Sequence, residues 1–551
     1  MMRGGIRLFA MAGAVLLNAC GDRAAEWDST PQLLYMGRLR DAVVLVDTTL
    51  HRGLIMKAGA EQRLDFTAVR LGKRIVSTTT SADRERAFVL SQGDEVRLRA
   101  NDEGPALSVL EAGHAEQVKR YELPDALTSL ALDPAGRYAI VYAGDATGGR
   151  FIKNPNELII VDLAAAPSDV NPTRRNLPSN IGGSPKRLTF TPPLHLPAGD
   201  RRLLVVETDR DVMLLDLEHP DRPEVSLPVK DPRTDSRALS PAGITVDPGQ
   251  SGSEGRHPAL AIRTNADDNV IIYTLGPSNK EPPENDFIAT PNAAVVGGVP
   301  SDIAFVNTNQ GPRLAVLVPS SAPTGFLINV DDNHTLTAKF TAGYQVMSLV
   351  AGFASNGGGV GDQIMLWSTD GRTSSIAFWD LNKVPPVGNL DALKSIETLN
   401  LNGSVASVMS IPERNLKIVE TSTRALYVLD PEQHLTNALS TTGNVTLRYS
   451  REGDRAWAFE PSQKGLAQIA LAGAHIVSVD VDRPVADVVE IERSDGGRAL
   501  LALHTVGTPS PSEGASSLPG TSIGVTVFDA LAPDAAESRR YAAVMLERLA
   551  P

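Results

Sequence analysis

Short apolar runs separated by polar turns recur along most of this chain, and the clearest example lies at 133–163. The residues DPAG at 133–136 predict a tight turn, because proline fixes φ and glycine accepts a positive φ. The run Arg137–Tyr142 follows, and after a polar loop Leu158–Leu163 forms a second run. Both runs are rich in β-branched or aromatic residues, which favour strands. The segment therefore predicts a turn, a buried strand, a loop and a second strand.

The same unit recurs to the end of the chain, and its second run commonly contains an acid at or near its end. These second runs include Val212–Leu217, Val270–Leu275, Phe326–Asp331, Ile376–Leu381, Ala425–Asp430 and Ile523–Asp529. The acids Asp331, Asp380 and Asp430 are spaced by 49 and 50 residues. Repeats of about 40–50 residues made of several short strands are typical of β-propeller blades. The near-continuous apolar runs also indicate strands that are buried on both faces.

The pattern therefore predicts an all-β protein, a single large β-propeller of four-stranded blades. One blade cannot bury both of its faces alone, so blades stack around a ring whose closure removes unpaired ends. Counting the marker strands gives nine or ten units, whereas propellers typically have about four to eight blades. We favour eight, with seven to ten left open. We expect Leu33–Asp47 to share one blade with the C-terminal segment. Residues 535–549 predict either that closing strand, at Tyr541–Leu546, or a terminal helix, and the strand is favoured.

The run LLYMGRLRDAVVLVD at Leu33–Asp47 resembles the surface-protein repeat called YVTN, a β-propeller family related to WD40. The resemblance implies one propeller domain over residues 32–551. Enzymes of the lactonase and quinoprotein type also resemble YVTN-like propellers, and they place metal-binding acids or cofactor contacts at the central channel. The resemblance thus leaves open a binding or scaffolding module and a propeller enzyme.

Residues 1–20 predict export and a lipid anchor. Arg3 and Arg7 precede the apolar run Leu8–Leu17, which is shorter than the roughly 20 residues that cross a bilayer but suits a signal peptide. The letters LNAC at 17–20 resemble the lipobox of bacterial lipoproteins. In that family the cysteine, here Cys20, takes a diacylglyceryl thioether, with two or three acyl chains such as palmitate, and becomes the N-terminus after cleavage. The alternative is an ordinary secretory signal with an incidental cysteine.

This resemblance divides the chain into a signal peptide at 1–19, a tether at 20–31 and the propeller at 32–551. It implies a protein of the bacterial cell envelope, exported and then held at Cys20 on the outer membrane or the periplasmic face. Two or more acyl chains meet the requirement for stable anchoring. Cys20 is also the single cysteine of the chain, so one chain can form neither a disulfide nor a cysteine-ligated zinc site.

Charge narrows the classes of partner. The formal net charge is −13, and removal of residues 1–19, which carry Arg3, Arg7 and no acid, makes it −15. An acidic body repels phosphates, so the sequence predicts no nucleic-acid partner. The same charge argues against a body that lies flat on anionic lipid. The membrane is therefore expected as a partner through the anchor at Cys20.

Patterns that carry catalysis are weak in this chain. The letters GTSIG at 520–524 match G-x-S-x-G, but a nucleophile elbow needs a strand before the serine and a helix after it. Here the loop-like Gly507–Pro519 precedes the serine and Val525–Phe528 predicts a strand after it. The nine histidines are scattered with no pair at metal-ligand spacing, so each is expected on the surface or as a satisfied buried side chain. The sequence predicts no catalytic residue, no metal site and no cofactor.

Acid-rich loops are the better candidates for ligand binding. NADDN at 265–269 and Asp331–Asn333 could offer oxygen ligands to Ca²⁺. Asp and Asn are also among the commonest turn formers, and we favour that interpretation. The tryptophans Trp367, Trp379 and Trp457 fall inside predicted strands, where core packing is expected.

Long predicted loops are the remaining indication of a binding surface. They are Gly144–Asn156, Gly276–Pro300 and Gly507–Pro519. On a propeller such loops would project from one rim and shape a ligand surface. We therefore favour a lipid-anchored envelope propeller that binds or scaffolds a protein or a small ligand. A propeller enzyme with a metal or cofactor at the channel is the alternative, and a purely structural envelope component is a third hypothesis.

Overall fold

The computed structural model describes residues 33–544 except 145–153, 170–171, 178–183, 230–238, 251–254, 281–283, 320–323, 331–334, 339–345, 354–362, 370–372, 385–394, 412–415, 424, 430–436, 441–444, 462, 472–474, 482, 506–522 and 534–538. Regular structure in this part is almost entirely strand, with two 3₁₀ helices of three residues at Ala60–Gln62 and Leu381–Lys383. None of the described helices has the length and apolar character that a bilayer span requires.

The described strands form ten four-stranded antiparallel sheets, numbered 1 to 10 along the chain, and one separate hairpin. Sheets 1 to 3 contain β1 (Leu33–Arg38), β2 (Ala42–Asp47), β3 (Arg52–Ala58), β4 (Leu64–Arg70); β5 (Ile75–Thr80), β6 (Arg86–Ser91), β7 (Ala106–Glu111), β8 (Lys119–Glu122); and β9 (Ser129–Leu132), β10 (Tyr138–Tyr142), β11 (Glu157–Asp162), β12 (Thr173–Asn176). Sheets 4 and 5 contain β13 (Pro185–Phe190), β16 (Leu203–Thr208), β17 (Val212–Asp216), β18 (Val225–Leu227); and β19 (Pro241–Asp247), β20 (Ala259–Thr264), β21 (Asn269–Pro277), β22 (Phe287–Val295). The separate hairpin, β14 (Leu194–Leu196) and β15 (Gly199–Arg201), is inserted between the first two strands of sheet 4.

The second half of the chain repeats the plan without an insertion in its described residues. Sheets 6 to 8 contain β23 (Asp302–Thr308), β24 (Gly311–Val318), β25 (Thr324–Asn329), β26 (Thr335–Ala338); β27 (Val346–Phe353), β28 (Gln363–Thr369), β29 (Thr373–Asp380), β30 (Ser395–Asn402); and β31 (Val405–Ile411), β32 (Leu416–Thr421), β33 (Ala425–Leu429), β34 (Asn437–Ser440). Sheets 9 and 10 contain β35 (Thr446–Tyr449), β36 (Arg455–Phe459), β37 (Gly465–Ala470), β38 (His475–Asp480); and β39 (Val485–Glu492), β40 (Arg498–Thr505), β41 (Ile523–Asp529), β42 (Arg539–Val544).

Apolar side chains hold each sheet against its neighbours. Inner strands such as β2 and β16 are buried along their whole length, because both of their faces pack against an adjoining sheet. Buried apolar clusters join consecutive sheets from 1 to 6 and again from 7 to 10. Sheets 6 and 7 are linked by a hydrogen bond of 3.1 Å from the Asn309 N–H to the Leu381 carbonyl.

Sheet 10 packs against sheet 1 and so closes the ring. One buried cluster contains Leu45 and Met56 from sheet 1 together with Leu501 from sheet 10, and a single parallel bridge joins Ala58 to Arg493. Four-stranded antiparallel sheets packed face to face around a ring form a β-propeller. The all-β propeller predicted from the repeat is confirmed.

The ring closes differently from the prediction. The favoured count of eight blades is not confirmed, since the described residues form ten four-stranded sheets, at the upper end of the expected range. The prediction that Leu33–Asp47 shares a blade with the C-terminal segment is wrong. Strands β1 to β4 complete sheet 1 by themselves, and β42 pairs with β41 inside sheet 10. Closure therefore depends on packing between two complete sheets rather than on main-chain pairing within one.

Two local predictions also have an outcome. A strand within 535–549 is confirmed, since β42 covers Arg539–Val544 where Tyr541–Leu546 is expected, but it does not close the ring by pairing with sheet 1. Residues 535–538 and 545–549 lie outside the described residues. Gly276–Pro300 is not a long loop, because β22 lies within it and pairs with β21. Gly507–Pro519 and most of Gly144–Asn156 lie outside the described residues.

The strand order defines two faces of the ring. In each sheet the first and third strands end, and the second and fourth strands begin, at one face, called here the turn face. The opposite ends of the four strands lie at the other face, called the linker face. In seven of the ten described sheets the register shifts near the start of the first strand, which marks a shared β-bulge and hence a common plan.

The acids at the ends of the predicted runs cap turns at the turn face. Asp162, Asp216 and Asp529 end third strands, and each accepts the N–H of the residue two positions later at 2.9–3.0 Å. This Asx-turn arrangement explains why an acid recurs at the same position in several sheets. Leu33–Asp47 does not match this unit, because it covers the first and second strands of sheet 1 and so brings Asp47 to the linker face.

Candidate functional site

Four charged residues from four different sheets meet at the turn face where the ring closes. Arg40 belongs to sheet 1, Glu85 to sheet 2, Arg451 to sheet 9 and Glu492 to sheet 10. Arg40 lies 2.9 Å from Glu85 and 2.5 Å from Glu492, and Arg451 lies 3.3 Å from Glu85 and 3.1 Å from Glu492. The pKa of Arg40 is raised, first by the hydrogen bond to Glu492 and then by that to Glu85. We call these four residues the closure ring. Each of its charges lies beside two charges of the opposite sign.

A second group of charged side chains also joins sheets 1, 9 and 10. Its members precede Arg40, Arg451 and Glu492 in the sequence by two to five residues. The carboxylate of Asp487, whose side chain is 6% exposed, accepts from Arg38 Nη2 at 2.7 Å and from Arg448 Nε at 2.8 Å. These residues lie on β39, β1 and β35, the first strands of sheets 10, 1 and 9. Arg84 of sheet 2 also donates to the carbonyl of Tyr449 in sheet 9 at 2.9 Å. The last two and first two sheets are thus tied together by side chains.

Glu490 is a buried acid beside the closure ring. Trp457 Nε1 donates to its Oε2 at 2.9 Å, and Arg498 Nη1 lies 3.5 Å from its Oε1. Burial raises the pKa of Glu490, and the hydrogen bond from Trp457 offsets only part of that rise. The space open to water among these side chains is about 20 Å³, enough for about one water molecule. This region therefore holds sheets together and leaves no room for a ligand larger than water.

A larger space, the sheet 3–4 groove, opens at the turn face between sheets 3 and 4. It has a volume of about 220 Å³. Its lining includes Tyr138, Phe190, Pro193, Leu217, Arg137 and Arg202. The rings of Tyr138 and Phe190 pack on the apolar cluster between the two sheets. The floor of the groove is therefore continuous with the core, and its rim is charged.

The DPAG turn forms one wall of this groove. Asp133 accepts the N–H of Ala135 at 3.0 Å and that of Arg137 at 3.3 Å, and Gly136 has a φ of 72°. The turn brings the Arg137 guanidinium to 4.8 Å from the centroid of the Tyr138 ring, a cation–π distance. Burial raises the pKa of Tyr138, so its phenol stays neutral at physiological pH. The predicted turn is confirmed, and it borders the groove.

The inserted hairpin β14–β15 forms the opposite wall. Leu194 and Leu196 are buried in the cluster between sheets 4 and 5. The N–H of His195 donates to the carbonyl of Pro248, after β19, at 3.0 Å. Because the hairpin is fastened to sheet 5, it covers that joint and leaves the joint between sheets 3 and 4 open.

Buried ion pairs fix the base of the hairpin. Arg201 Nε lies 2.9 Å from Asp216 Oδ2, with side chains 5% and 0% exposed, although the two groups are not aligned for a hydrogen bond. Arg201 also pairs with Asp286, and Arg222 lies 3.4 Å from Asp286 and 3.7 Å from Asp216. Two arginines and two aspartates thus neutralise one another beneath the groove.

The sequence-derived candidates fall in different places. Cys20, Asp331–Asn333 and Gly520–Ser522 lie outside the described residues. The predicted strand after the motif serine is confirmed, since Gly524 lies in β41. Within the described ranges, no three His, Cys, Asp or Glu side chains are grouped in a way that could hold a metal ion.

The acid-rich segment 265–269 forms the turn between β20 and β21, as favoured. Asn265 Oδ1 accepts the N–H of Ser240 at 3.2 Å, and Asn269 donates to Asp267 at 3.1 Å. One main-chain donor of the segment is satisfied by the preceding strand, since the Asp267 N–H donates to the Thr264 hydroxyl at 3.1 Å. Its polar groups thus take part in turn contacts.

The buried tryptophan and histidine side chains behave as structural groups. Trp457 is fully buried in the cluster between sheets 9 and 10, which confirms its core placement. Trp367 and Trp379 lie in β28 and β29, and Trp367 packs on the cluster between sheets 7 and 8. His504 is 2% exposed, with Nε2 at 2.8 Å from the Thr526 hydroxyl and Nδ1 at 3.0 Å from a carbonyl oxygen. It is a satisfied buried histidine.

Sequence reasoning missed both the closure ring and the groove. The turns that contain or adjoin Glu85, Arg451 and Glu492 each carry charges of both signs. No local signal shows that the turns meet, because Glu85 and Arg451 are 366 residues apart. The segment between β13 and β16 is longer than most connections between first and second strands. That length is the signal in the sequence that could have indicated an insertion, and hence a groove wall.

Comparisons with known proteins give likenesses of fold. No protein-family model matches the chain, and the search of curated proteins finds no match. A solved structure of dihydro-heme d1 dehydrogenase NirN in complex with DHE is 11% identical, with a TM-score of 0.36, over 81% of this chain and 74% of that one. Apo AztD from Citrobacter koseri is 10% identical, with a TM-score of 0.34, over 73% and 96%. A eukaryotic initiation factor is 9% identical, with a TM-score of 0.43, over 91% and 94%.

Proposed function

We propose that this chain is a lipid-anchored binding module of the bacterial cell envelope, whose propeller presents the sheet 3–4 groove to a partner protein. The observation that carries the proposal is the groove itself, an open space of about 220 Å³ with an apolar floor and a charged rim. Pockets for cofactors and drug-sized ligands typically have about 300–1,000 Å³ and enclose most of the ligand. A smaller and open groove suits one or two side chains of a protein segment.

The lining suggests the chemistry of that segment. Tyr138 and Phe190 offer aromatic surface to an apolar or aromatic side chain. The rim carries Arg137 and Arg202 together with Asp200, so groups of both signs are available for polar contacts with the main chain of the segment. We therefore infer an extended segment with a central apolar anchor.

Site-specific photocrosslinking in cells tests the groove. Benzoylphenylalanine at Pro193, which is exposed and lines the groove, should give one discrete protein adduct. The same group at Leu531, which is 62% exposed on the turn face of sheet 10, is the matched control and should give none. Phe190→Ala should lower the adduct yield about tenfold by removing about 1.4 kcal/mol of contact. Equal adducts at both positions, or none at Pro193, would contradict the proposal.

The lipid anchor is tested separately at Cys20. A palmitate analogue fed to cells should label the wild-type chain and not Cys20→Ser, because this is the single thiol in the sequence. The variant should also leave the membrane fraction. Label on the variant, or no label on the wild type, would remove lipidation from the proposal and leave the groove untouched.

The enzyme alternative predicts a different result. A propeller of lactonase or quinoprotein type holds a metal or cofactor at its channel. Elemental analysis and absorption spectra of the purified chain would then show about one tightly bound group per molecule. Such a group, retained through dialysis against a chelator, would favour the enzyme over the binding module.

A further inference from the structure

A loop on the linker face carries the most exposed large apolar side chain among the described residues. Residues 92–105, called here the tip loop, connect β6 to β7 in sheet 2. Leu98 is 87% exposed and Val96 is 64% exposed. Arg97 and Arg99 alternate with them and are exposed too. Exposed apolar side chains that alternate with cationic ones suit contact with a surface whose outer layer is anionic and whose interior is apolar.

Hydrogen bonds between Asp94 and Glu103 join the two ends of the tip loop and form its neck. The Asp94 N–H donates to the Glu103 carbonyl at 2.8 Å, and the Glu103 N–H donates to the Asp94 carboxylate at 2.8 Å. Beyond this neck, Asp102 Oδ2 accepts the N–H groups of Leu98 and Arg99, each at 2.7 Å. The exposure of the apolar side chains is therefore a property of a folded loop.

Cationic side chains outnumber acids around the tip loop. The cations are Arg70, Lys73, Arg74, Arg97, Arg99 and Arg120, and the acids are Asp94, Glu95, Asp102, Glu103 and Glu122. Six cations against five acids leave this basic patch at +1, whereas the whole chain carries −13. Asp94 pairs with Lys73 at 2.9 Å, and Glu103 pairs with Arg70 and Arg120. The acids of the patch are thus largely engaged by its own cations.

The chain enters the ring beside this patch. Strand β1 starts at the linker face, and Tyr35 near its start donates to the Val76 carbonyl at 3.1 Å, just after Lys73 and Arg74. The twelve residues between Cys20 and Leu33 span at most about 40 Å when fully extended. A lipid on Cys20 would therefore hold the linker face near the bilayer.

We infer that the tip loop and the basic patch dock the linker face on an anionic lipid bilayer. Val96 and Leu98 enter the boundary between headgroups and acyl chains, and Arg97 and Arg99 contact lipid phosphates. The inference deepens the proposed function, because it depends on an envelope location. The acidic net charge disfavours contact over a broad surface, but this patch has the opposite sign. The turn face, with the sheet 3–4 groove, then points away from the membrane.

Vesicle flotation of an unlipidated chain tests the docking. The chain from residue 21 onward keeps every described residue, and hence the whole closed ring. It should float with vesicles of phosphatidylethanolamine and phosphatidylglycerol at three to one, and bind phosphatidylcholine vesicles more weakly. Val96→Ser with Leu98→Ser should weaken binding to the anionic vesicles at least about tenfold. Ile476→Ser with Leu531→Ser, two exposed apolar residues elsewhere, is the matched control and should bind like the parent.

The cationic side chains have their own variant. Arg97→Gln with Arg99→Gln should reduce the preference for anionic vesicles and leave the weak binding to phosphatidylcholine unchanged. No flotation of the parent chain with anionic vesicles, or equal losses in the tip-loop and control variants, overturns the inference. Because the assayed chain lacks Cys20, such a failure leaves lipidation intact, and a failure of palmitate labelling leaves the flotation result intact.

Discussion

Two joints of the ring share one architecture and differ in what their turns contain. The joint between sheets 10 and 1 and the joint between sheets 3 and 4 are both filled by buried apolar clusters. Above the first, charged turns from sheets 9, 10, 1 and 2 leave about 20 Å³. Above the second, the turn face opens into a groove of about 220 Å³. Apolar packing therefore sets the ring. Whether a joint is sealed or open depends on the charges that its turns bring together and on which neighbouring sheet holds the inserted hairpin.

The charges at the two joints also differ in burial. The closure ring is partly exposed, with side-chain exposures between 31% and 42%, whereas Arg201 and Asp216 under the groove are nearly inaccessible. A buried charge that loses its partner costs far more than an exposed one, because water cannot replace the partner. Removing charges should therefore harm the open joint more than the sealed one.

The largest effect is expected at Arg201. Arg201→Met leaves Asp216 buried and Asp286 without its near partner, and should destabilise the protein by about 3 kcal/mol. Arg202→Met, at the neighbouring half-buried position on the groove rim, is the matched control and should change stability by less than about 0.5 kcal/mol. Thermal unfolding of the three proteins measures the difference. Equal melting temperatures for Arg201→Met and the wild type would mean that the hairpin is held by its leucines alone.

The second-largest loss of stability is expected at Asp487. Asp487→Asn removes the negative charge between Arg38 and Arg448, but those side chains are 30% and 22% exposed and can regain water. We expect a loss of about 2 kcal/mol, smaller than at Arg201. Asp495→Asn, an exposed acid that pairs with Arg493, is the control. A larger loss at Asp487 than at Arg201 would reverse the comparison and make closure the more vulnerable joint.

The sequence predicted the parts of this molecule that depend on local chemistry. The DPAG turn at 133–136, the strand Tyr138–Tyr142 after it and the recurring acids follow from φ preferences, β-branched runs and Asx turns, which act over a few residues. The pairing of Glu85 with Arg451 could not be predicted, because it depends on how ten sheets close into a ring. The groove could not be predicted either, since its width depends on which neighbouring sheet holds the β14–β15 hairpin.

Glu490 should show a smaller effect of opposite sign. Its raised pKa means that the folded protein binds the proton more tightly than the unfolded chain, whose carboxyl titrates near 4.5. The stabilisation from protonation is complete below that pH and is lost as pH rises through the raised value. Glu490→Gln keeps an acceptor for Trp457 and removes the charge, so it should be more stable than the wild type at pH 7. The difference in stability between Glu490→Gln and the wild type should narrow as pH falls toward 4.5. A difference that does not change with pH in melting experiments would contradict this.

The closure ring itself should give the smallest effect. Glu492→Gln leaves Arg40 and Arg451 with Glu85 as their remaining partner in the ring, and all of these side chains reach water. We expect a loss of about 0.5 kcal/mol at low salt. The loss should vanish in 1 M salt, where the Debye length is about 3 Å. Glu116→Gln, which breaks one exposed pair with Lys57 at 3.0 Å, is the control and should cost less, because Glu116 has one cationic partner in that pair rather than two.

The salt dependence decides what the closure ring does. A cycle of four alternating charges from four sheets restrains those turns only through electrostatic contacts, so screening should abolish its contribution while the apolar cluster of sheets 10 and 1 persists. If Glu492→Gln costs as much as Asp487→Asn, or costs the same in 1 M salt, then these charges act as buried pairs. The sealed and open joints would then differ in the volume left above them, and both would be stabilised by ion pairs that behave as buried.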